Sequence, residues 1–193
     1  MTDKYEFTGE TKVVSGITLR QIRALIAIPL FGVSVGDVGG WIEKEENLSQ
    51  ASDSAWISGN AQISGNARIS GNARISGDAQ ISGNARIYGN ARIYGHARIY
   101  GNAWISGDAW IYGDARIYKV NVESTRTDGY TFTVAPTPNG PRVIAGCRYL
   151  TFKEAKAHWE ASRGGTKLGD ETMSILKHLE TMAKINGFME PVA

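Results

Sequence analysis

The sequence predicts a mainly β protein: a parallel β-helix, or β-solenoid, with an N-terminal cap and a small C-terminal ββαα module. Three observations predict it. A six-residue phrase recurs over residues 51–118, with Ile at every sixth position from Ile57 to Ile117, and a short fixed period indicates a solenoid. Within each unit, small or branched residues alternate with polar or aromatic ones, as in a strand. Each unit also carries Gly followed by Asn, Asp or His, which favours a corner.

Three units per turn would give a triangular prism with 18 residues per coil. Residues eighteen apart would then stack, with Ile on every rung and Ala filling the corner. Residues 51–56 read as a degenerate first copy. The repeat therefore predicts roughly four coils, each about 4.8 Å from the next.

Residues 1–50 are predicted to form the N-terminal cap, because the exposed end of a solenoid must be blocked. Residues 4–28 indicate a β-hairpin around Ser15 and Gly16, although residues 17–25 also fit a short helix. Trp41 and Ile42 are expected to lie over the first coil.

Residues 119–193 are predicted to form the C-terminal module. The polar residues 119–127 would leave the coil, and residues 129–135 and 142–150 would form a hairpin around a proline-containing turn. Both strands alternate, which is typical of a sheet with a buried face.

Helices should complete the module. Thr151 and Glu154 have the spacing of a capping box, so a helix is expected to start there and to end near Gly164. A further helix is predicted over residues 171–185, with Asp170 as its N-cap.

The composition and charge of the chain limit the classes of function that it is expected to have. The formal net charge is +2, which is too balanced to argue for direct DNA binding, and a mimic of DNA would need a strongly acidic surface. No apolar run is long enough to cross a membrane, and the start lacks the order of a secretory signal. Cys147 is the single cysteine, so an internal disulfide is impossible and a reducing cytoplasm is expected. No cofactor is expected.

The pattern aliphatic, any, Gly, Asn, Ala, any resembles the hexapeptide repeat of left-handed parallel β-helices. The left hand is implied by that resemblance, since periodicity alone does not fix it. Residues 36–50, together with 4–11 and 22–25, resemble a family of hexapeptide-repeat proteins of unassigned function from bacteriophages and prophages. Residues 145–155, His158 with Trp159, and residues 163–171 resemble a C-terminal module of other phage proteins. The resemblance implies a phage accessory protein in the cytoplasm of a host bacterial cell, and supplies no mechanism.

Tyr, Trp and Arg accumulate at the outward positions of the last coils. Such side chains are frequent binding hot spots and also stack bases. They equally form ladders between rungs, or become buried in a homo-oligomer, and related prisms usually form trimers. The predicted binding residues are Tyr88, Arg92, Tyr94, Arg98, Tyr100, Trp104, Trp110, Tyr112 and Arg116, with Arg148, Trp159 and Arg163 of the C-terminal module.

Catalysis has one candidate residue in the coils. Acyltransferases built on this prism use a His, and His96 occupies a corner that elsewhere holds Asn or Asp. The repeat lacks the inserted loops that wall off an acyl-donor site, and fold alone is weak evidence for function. A three-His metal site is not expected, because His158 and His178 lie outside the coils. Cys147 with His158 lacks a third orienting group.

The sequence therefore predicts a non-catalytic phage accessory protein that acts by binding. Its expected partner is a host protein or protein complex, and its expected purpose is inhibition of a host defence system, in the manner of an anti-CRISPR protein. The alternatives are a sponge for a signalling nucleotide, bound between two subunits by Arg92, Arg98, Arg116 and Tyr94, and an acyltransferase that uses His96. Specificity is assigned chiefly to the C-terminal module.

Overall fold

The computed structural model describes residues 3–51, 53–117, 122–137 and 139–188. The N-terminal strands are β1 (Tyr5–Val14), β2 (Ile17–Ala24) and β3 (Val38–Ile42). The coils follow as strands of two residues that recur every six residues. They are β4 (Trp56–Ile57), β5 (Gln62–Ile63), β6 (Arg68–Ile69), β7 (Arg74–Ile75), β8 (Gln80–Ile81), β9 (Arg86–Ile87), β10 (Arg92–Ile93), β11 (Arg98–Ile99), β12 (Trp104–Ile105), β13 (Trp110–Ile111) and β14 (Arg116–Ile117).

The coil strands form the three faces of a prism, each a parallel ladder. Along the faces the strand orders are β3-β5-β8-β11-β14, β4-β7-β10-β13 and β6-β9-β12. Ile57 pairs with Ile75, and Ile75 pairs with Ile93, so the register advances by 18 residues. The prediction of three units per coil and a β-solenoid of about four turns is confirmed. The left hand stays a prediction.

The prism interior is filled by the repeat's Ile and Ala side chains. Every sixth residue from Ile57 to Ile117 is at most 1% exposed, and each buried Ile stabilises the fold by about 1.5–3 kcal/mol. The corners need glycine for two reasons. Gly83 has φ +71°, and a Cβ there would come within 2.7 Å of the backbone nitrogen of Gly101 in the next coil.

The N-terminal cap contains the expected hairpin, with β1 and β2 antiparallel. The helical alternative for residues 17–25 is wrong, because β2 lies between β1 and β3 and pairs with both. β3 runs parallel to β5, with Ile42 beside Ile63, and Leu48 bridges Ile69. Ile42 and Leu48 therefore provide the first rungs, and coiling begins before residue 51.

A buried polar network holds the start of the chain against the first coil. The Lys4 ammonium lies 2.6 Å from the Asp53 carboxylate, which also accepts from the Gly71 backbone at 2.8 Å. Gln50 bonds the Lys4 and Tyr5 backbone, and the Tyr5 hydroxyl donates to the Leu48 carbonyl. Burial lowers the pKa of Lys4, and Asp53 opposes that shift. The cap is thus held by specific polar contacts as well as by the ladder.

The C-terminal module begins with the antiparallel strands β15 (Val122–Thr125), β16 (Thr131–Ala135), β17 (Arg142–Ala145) and β18 (Arg148–Leu150). This sheet has more strands than the predicted hairpin. Part of the segment expected to be a polar connection pairs with β16 as β15. The predicted strand 142–150 is split at Gly146, whose φ of +54° makes a turn.

The sheet is a layer with two buried faces. Phe132, Val134 and Val143 pack with the helices that follow, while Ala135 and Ile144 join the core of the solenoid. The Trp110 backbone N–H donates to the Gly146 carbonyl at 3.0 Å. The module therefore closes the C-terminal end of the coils.

The helices are α1 (Phe152–Arg163) and α2 (Lys167–Ile185). The capping box of Thr151 and Glu154 is confirmed. The prediction of Asp170 as the second N-cap is wrong, because Thr166 caps α2 by accepting from the Gly169 backbone N–H. Asp170 lies in the first turn, where a carboxylate suits the positive end of the helix dipole. In the described part of the chain, neither helix is long and apolar enough to cross a membrane.

Arg126 ties the sheet to α2. It is 4% exposed, forms paired hydrogen bonds of 2.9 and 2.7 Å with Asp128, and donates to the Thr172 hydroxyl at 2.8 Å. The Arg126 guanidinium lowers the pKa of Asp128 to about 2. Arg126 thus links the β15–β16 turn to α2.

Candidate binding surface on the last coils

The late coils (residues 83–117) carry a belt of aromatic and Arg side chains, which we call the aromatic belt. Its members are the predicted residues Tyr88, Arg92, Tyr94, Arg98, Tyr100, Trp104, Trp110, Tyr112 and Arg116. Tyr94, Tyr100, Trp104 and Tyr112 are 37–44% exposed. Large apolar side chains are thus held at the surface on a rigid ladder.

In several columns the early coils (residues 53–82) carry smaller side chains than the late coils, whereas the column of Arg92 and Trp110 begins with Trp56 and Arg74. The column of Tyr94 and Tyr112 begins with Ser58 and Ser76, as the 18-residue register requires. Similarly, Arg98 and Arg116 continue a column that begins with Gln62 and Gln80. The backbone is therefore compatible with both sets of residues.

Belt side chains contact one another between rungs, as the ladder interpretation predicts. The rings of Tyr94 and Tyr112 stack with centroids 5.6 Å apart and planes 16° apart. The Arg92 guanidinium lies 5.1 Å from the centre of the Trp110 ring, and Tyr88 lies 5.9 Å from Trp104. Ladder packing and surface exposure therefore coexist.

The belt encircles the prism and does not form one patch. Arg98 and Arg116 lie on the face of β11 and β14, Arg92 and Trp110 on that of β10 and β13, and Trp104 on the third. The Tyr94–Tyr112 and Arg98–Arg116 columns flank the same corner, because residues 95–97 alone separate Tyr94 from Arg98. Two rings and two guanidinium groups are therefore stacked in neighbouring columns at this corner.

The predicted residues of the C-terminal module divide into surface and core. Arg148 and Arg163 are exposed. Trp159 is 4% exposed, and its ring packs edge-on against Phe132 at 5.0 Å. The expectation that Trp159 contributes to binding is therefore corrected: it belongs to the core between α1 and the sheet. Its position on the apolar side of α1, beside Ala155, was the signal for this.

His96 lies at an open corner, where its side chain is 70% exposed, and its Nδ1 is 3.7 Å from the Asp78 carboxylate. Amide and carboxylate side chains stack similarly at other corner positions, where Asn60 donates to Asp78 at 3.2 Å and Asn66 to Asn84 at 3.2 Å. His96 continues such a column. This geometry supports a ladder role for the residue.

The other reactive side chains do not converge. Cys147 is exposed in the turn between β17 and β18, and the His158 ring packs against Trp159. Within the described residues, neither side chain hydrogen-bonds the other. Among these residues there is also no group of three or more His, Cys, Asp or Glu that could hold a metal ion.

A cleft lies where the last coil meets the C-terminal sheet, with a volume of about 540 Å³. Tyr112 and Arg116 line it from the coil, and Arg142 and Tyr149 line it from the module. Tyr112 and Arg116 were predicted from the sequence as binding residues. Arg142 and Tyr149 were not, because they belong to a segment predicted as a strand from its alternation alone. The Arg and Tyr residues at polar positions of that segment were the signal that could have indicated a binding site.

Comparison with known families supports the repeat. Residues 61–77, 79–95, 91–107 and 97–113 match a family described as YdcK Beta solenoid repeat. The matched residues lie inside the coils and amount to about a quarter of the chain. No curated protein matches the chain. In its coils the chain is similar to this repeat family, and the match and the ladder together identify a β-solenoid repeat protein.

Proposed function

We propose that this protein is a non-catalytic binding protein whose aromatic belt engages a protein partner, and that the partner is a host defence component. One observation carries the binding proposal. Tyr94, Tyr100, Trp104 and Tyr112 each keep 37–44% of their surface exposed, in a coil that folds equally with Ser at the Tyr94 and Tyr112 column positions. The aromatic residues are thus not required by the core.

The chemistry of the belt suits protein recognition. Tyr, Trp and Arg are enriched among residues that carry most of an interface's binding energy. Rings fixed by stacking, as Tyr94 and Tyr112 are, lose little conformational freedom on binding. A rigid ladder therefore offers anchors at low entropic cost.

The host-defence assignment rests on the phage-type motifs at the two ends of the chain. A phage accessory protein that acts by binding would have a component of the host cell as its target. The near-neutral charge, +2 over 193 residues, favours a protein surface over a nucleic acid backbone.

Capture from host lysate tests the binding proposal. The belt variant combines Tyr94→Ser, Tyr112→Ser, Arg98→Gln and Arg116→Gln, each of which installs a residue found earlier in the same column. The control is Arg68→Gln, an exposed early-coil Arg on β6. We expect a host polypeptide to be retained by the wild type and by the control and to be lost from the belt variant. Equal retention by all forms would overturn the proposal.

Self-association is the competing use of the same surface. Native mass spectrometry of the purified protein separates the two. A wild-type oligomer, trimer included, that dissociates in the belt variant would assign the belt to assembly and overturn partner binding by it. A host complex lost from the variant while the oligomeric state stays the same supports the proposal.

Plaque counts test the proposal that the protein inhibits a host defence system. Expression in a bacterium with an active defence system should raise the plating of a sensitive phage, and the belt variant should not. Unchanged plating across a panel of defence systems would remove the host-defence assignment while leaving partner binding in place.

A further inference from the structure

We infer that the cleft between the last coil and the C-terminal sheet binds a small phosphorylated aromatic molecule, chemically a nucleotide. The cleft has a volume of about 540 Å³, within the range of about 300–1,000 Å³ typical of small-molecule sites. The inference does not rest on partner binding, because it concerns a concave site and a small ligand, but Tyr112 and Arg116 belong to both the belt and the cleft.

Positive charge predominates in the lining. Among the described lining residues, Arg116 and Arg142 accompany one acidic residue, Asp114. A guanidinium is always charged and presents donors in a planar fork that matches phosphate oxygens. The pair therefore favours an anion with several oxygens.

Backbone carbonyl groups of the preceding loop position the Arg142 guanidinium. One of its nitrogens, Nη1, lies 3.1 Å from the Asn139 carbonyl oxygen and 3.2 Å from that of Pro141. Within the described residues, its other guanidinium nitrogens donate to no protein acceptor. A guanidinium that is positioned yet retains donors is prepared for a ligand, since less ordering entropy is lost on binding.

Aromatic rings complete the lining. The Tyr112 ring is stacked on Tyr94 and is 42% exposed, so one side is covered and part of the ring stays open. Tyr149 is partly buried and hydrogen-bonded to Thr137, and burial raises the pKa of its hydroxyl. Fixed rings beside Arg residues provide both stacking for a base and pairing for a phosphate.

The combination selects the ligand class. A simple phosphate would use the guanidinium groups and leave the rings without a role, and an uncharged aromatic molecule would leave the guanidinium groups without one. A nucleotide uses both. It would bind across the junction of coil and module, and would stabilise that junction by mass action.

Isothermal titration calorimetry of the full chain with ATP and AMP, in the absence of any partner, tests the inference. Adenosine and inorganic pyrophosphate serve as the partial ligands. We expect saturable one-to-one binding of at least one nucleotide, at least tenfold tighter than either partial ligand. No saturable binding of ATP or AMP at millimolar concentration, or pyrophosphate binding as tight as the nucleotides, would overturn it.

Matched variants locate the site. Arg116→Gln should weaken nucleotide binding at least tenfold, whereas Arg98→Gln, one coil earlier in the same column, should change it less than twofold. The fold should tolerate both, because Gln62 and Gln80 occupy that column naturally. A second cleft variant, Tyr112→Ser, installs the residue of Ser58 and Ser76. Binding unchanged in both cleft variants would overturn the assignment, while the partner-capture experiment would be unaffected.

Discussion

The early and late coils share one interior and differ in their exteriors. Ile57 and Ile111 are both fully buried, and they belong to one ladder with unchanged register. Outside, Ser58 and Ser76 give way to Tyr94 and Tyr112. The backbone is therefore set by Ile, Ala and Gly, while the outward positions are free to carry another property.

The difference between the early and late coils shows which residues stabilise the solenoid and which are available for binding. If aromatic residues were needed to stabilise the ladder, the early coils would require them too. Trp56 is the one aromatic residue of the early coils. It is 2% exposed, because the N-terminal cap covers it, and its ring lies close to Gly39. Trp56 therefore packs in the core and offers no open surface for binding. In the late coils Tyr94, Tyr100, Trp104 and Tyr112 are exposed, which is why binding is assigned there.

The largest expected effect is on the shared interior. Ile63→Ala and Ile99→Ala, one in each half of the same face, should each lower the free energy of unfolding by about 2–5 kcal/mol, because each leaves a cavity between Ile rungs. Urea denaturation followed by circular dichroism measures both. A difference between them above about 3 kcal/mol, the full width of that range, would show that the halves are not equivalent inside.

Acid should destabilise the C-terminal module. The pKa of Asp128 is lowered to about 2 by Arg126, against an ordinary value near 3.9. A lowered folded pKa stabilises the fold fully above the unfolded pKa, and this stabilisation is lost as the pH falls from about 4 towards 2. The pKa of Glu171, lowered chiefly by its hydrogen bonds with Thr127, acts in the same direction.

Thermal melting followed at 222 nm, where α1 and α2 dominate the signal, should show a falling midpoint between pH 4 and pH 2. Asp128→Asn should be less stable at pH 7 and should lose less over that interval, because its side chain does not titrate. An equal loss in wild type and variant would assign the acid sensitivity to other groups.

Regular features were predictable from the sequence because they depend on neighbours close in the chain. The 18-residue register follows from period and corner, and the cap of α1 follows from the spacing of Thr151 and Glu154. Ile42 was expected to lie over the first coil and does so, beside Ile63. Leu48 was missed as a rung because its surroundings depart from the phrase. At Gly40 an added Cβ would come within 2.5 Å of the Ile57 side chain, so glycine stands where the repeat has alanine.

Features that join distant segments were not predictable. The cleft combines Arg116 with Arg142, which come together only because the sheet closes the coil end. The burial of Trp159 depends on Phe132, which lies on β16. The N-cap of α2 depended on a choice between Thr166 and Asp170, both good cap residues, which the short connection after α1 decides.

A smaller effect is expected from the stacked rings that distinguish the late coils. The double variant Tyr94→Ser and Tyr112→Ser converts a late column into an early one, and should cost about 0.5–1.5 kcal/mol beyond lost burial, the usual value of an aromatic pair. A double-mutant cycle by urea denaturation isolates the pair term. A coupling near zero would show that the rings are held apart from each other in solution and would weaken the argument for rigid anchors.

The smallest expected effect is at His96, where the late coils depart from the corner pattern. His96→Asn should change the free energy of unfolding by no more than about 0.5 kcal/mol, because Asn donates to Asp78 as Asn60 does. Partner capture should persist, since the side chain contributes to the corner column and not to the belt. The same variant tests the enzymatic alternative: a general base removed from an acyl-transfer site typically costs about 10²–10⁴ in rate. If the purified protein transfers an acyl group and His96→Asn abolishes that activity, His96 is a catalytic residue and the late coils hold an active site.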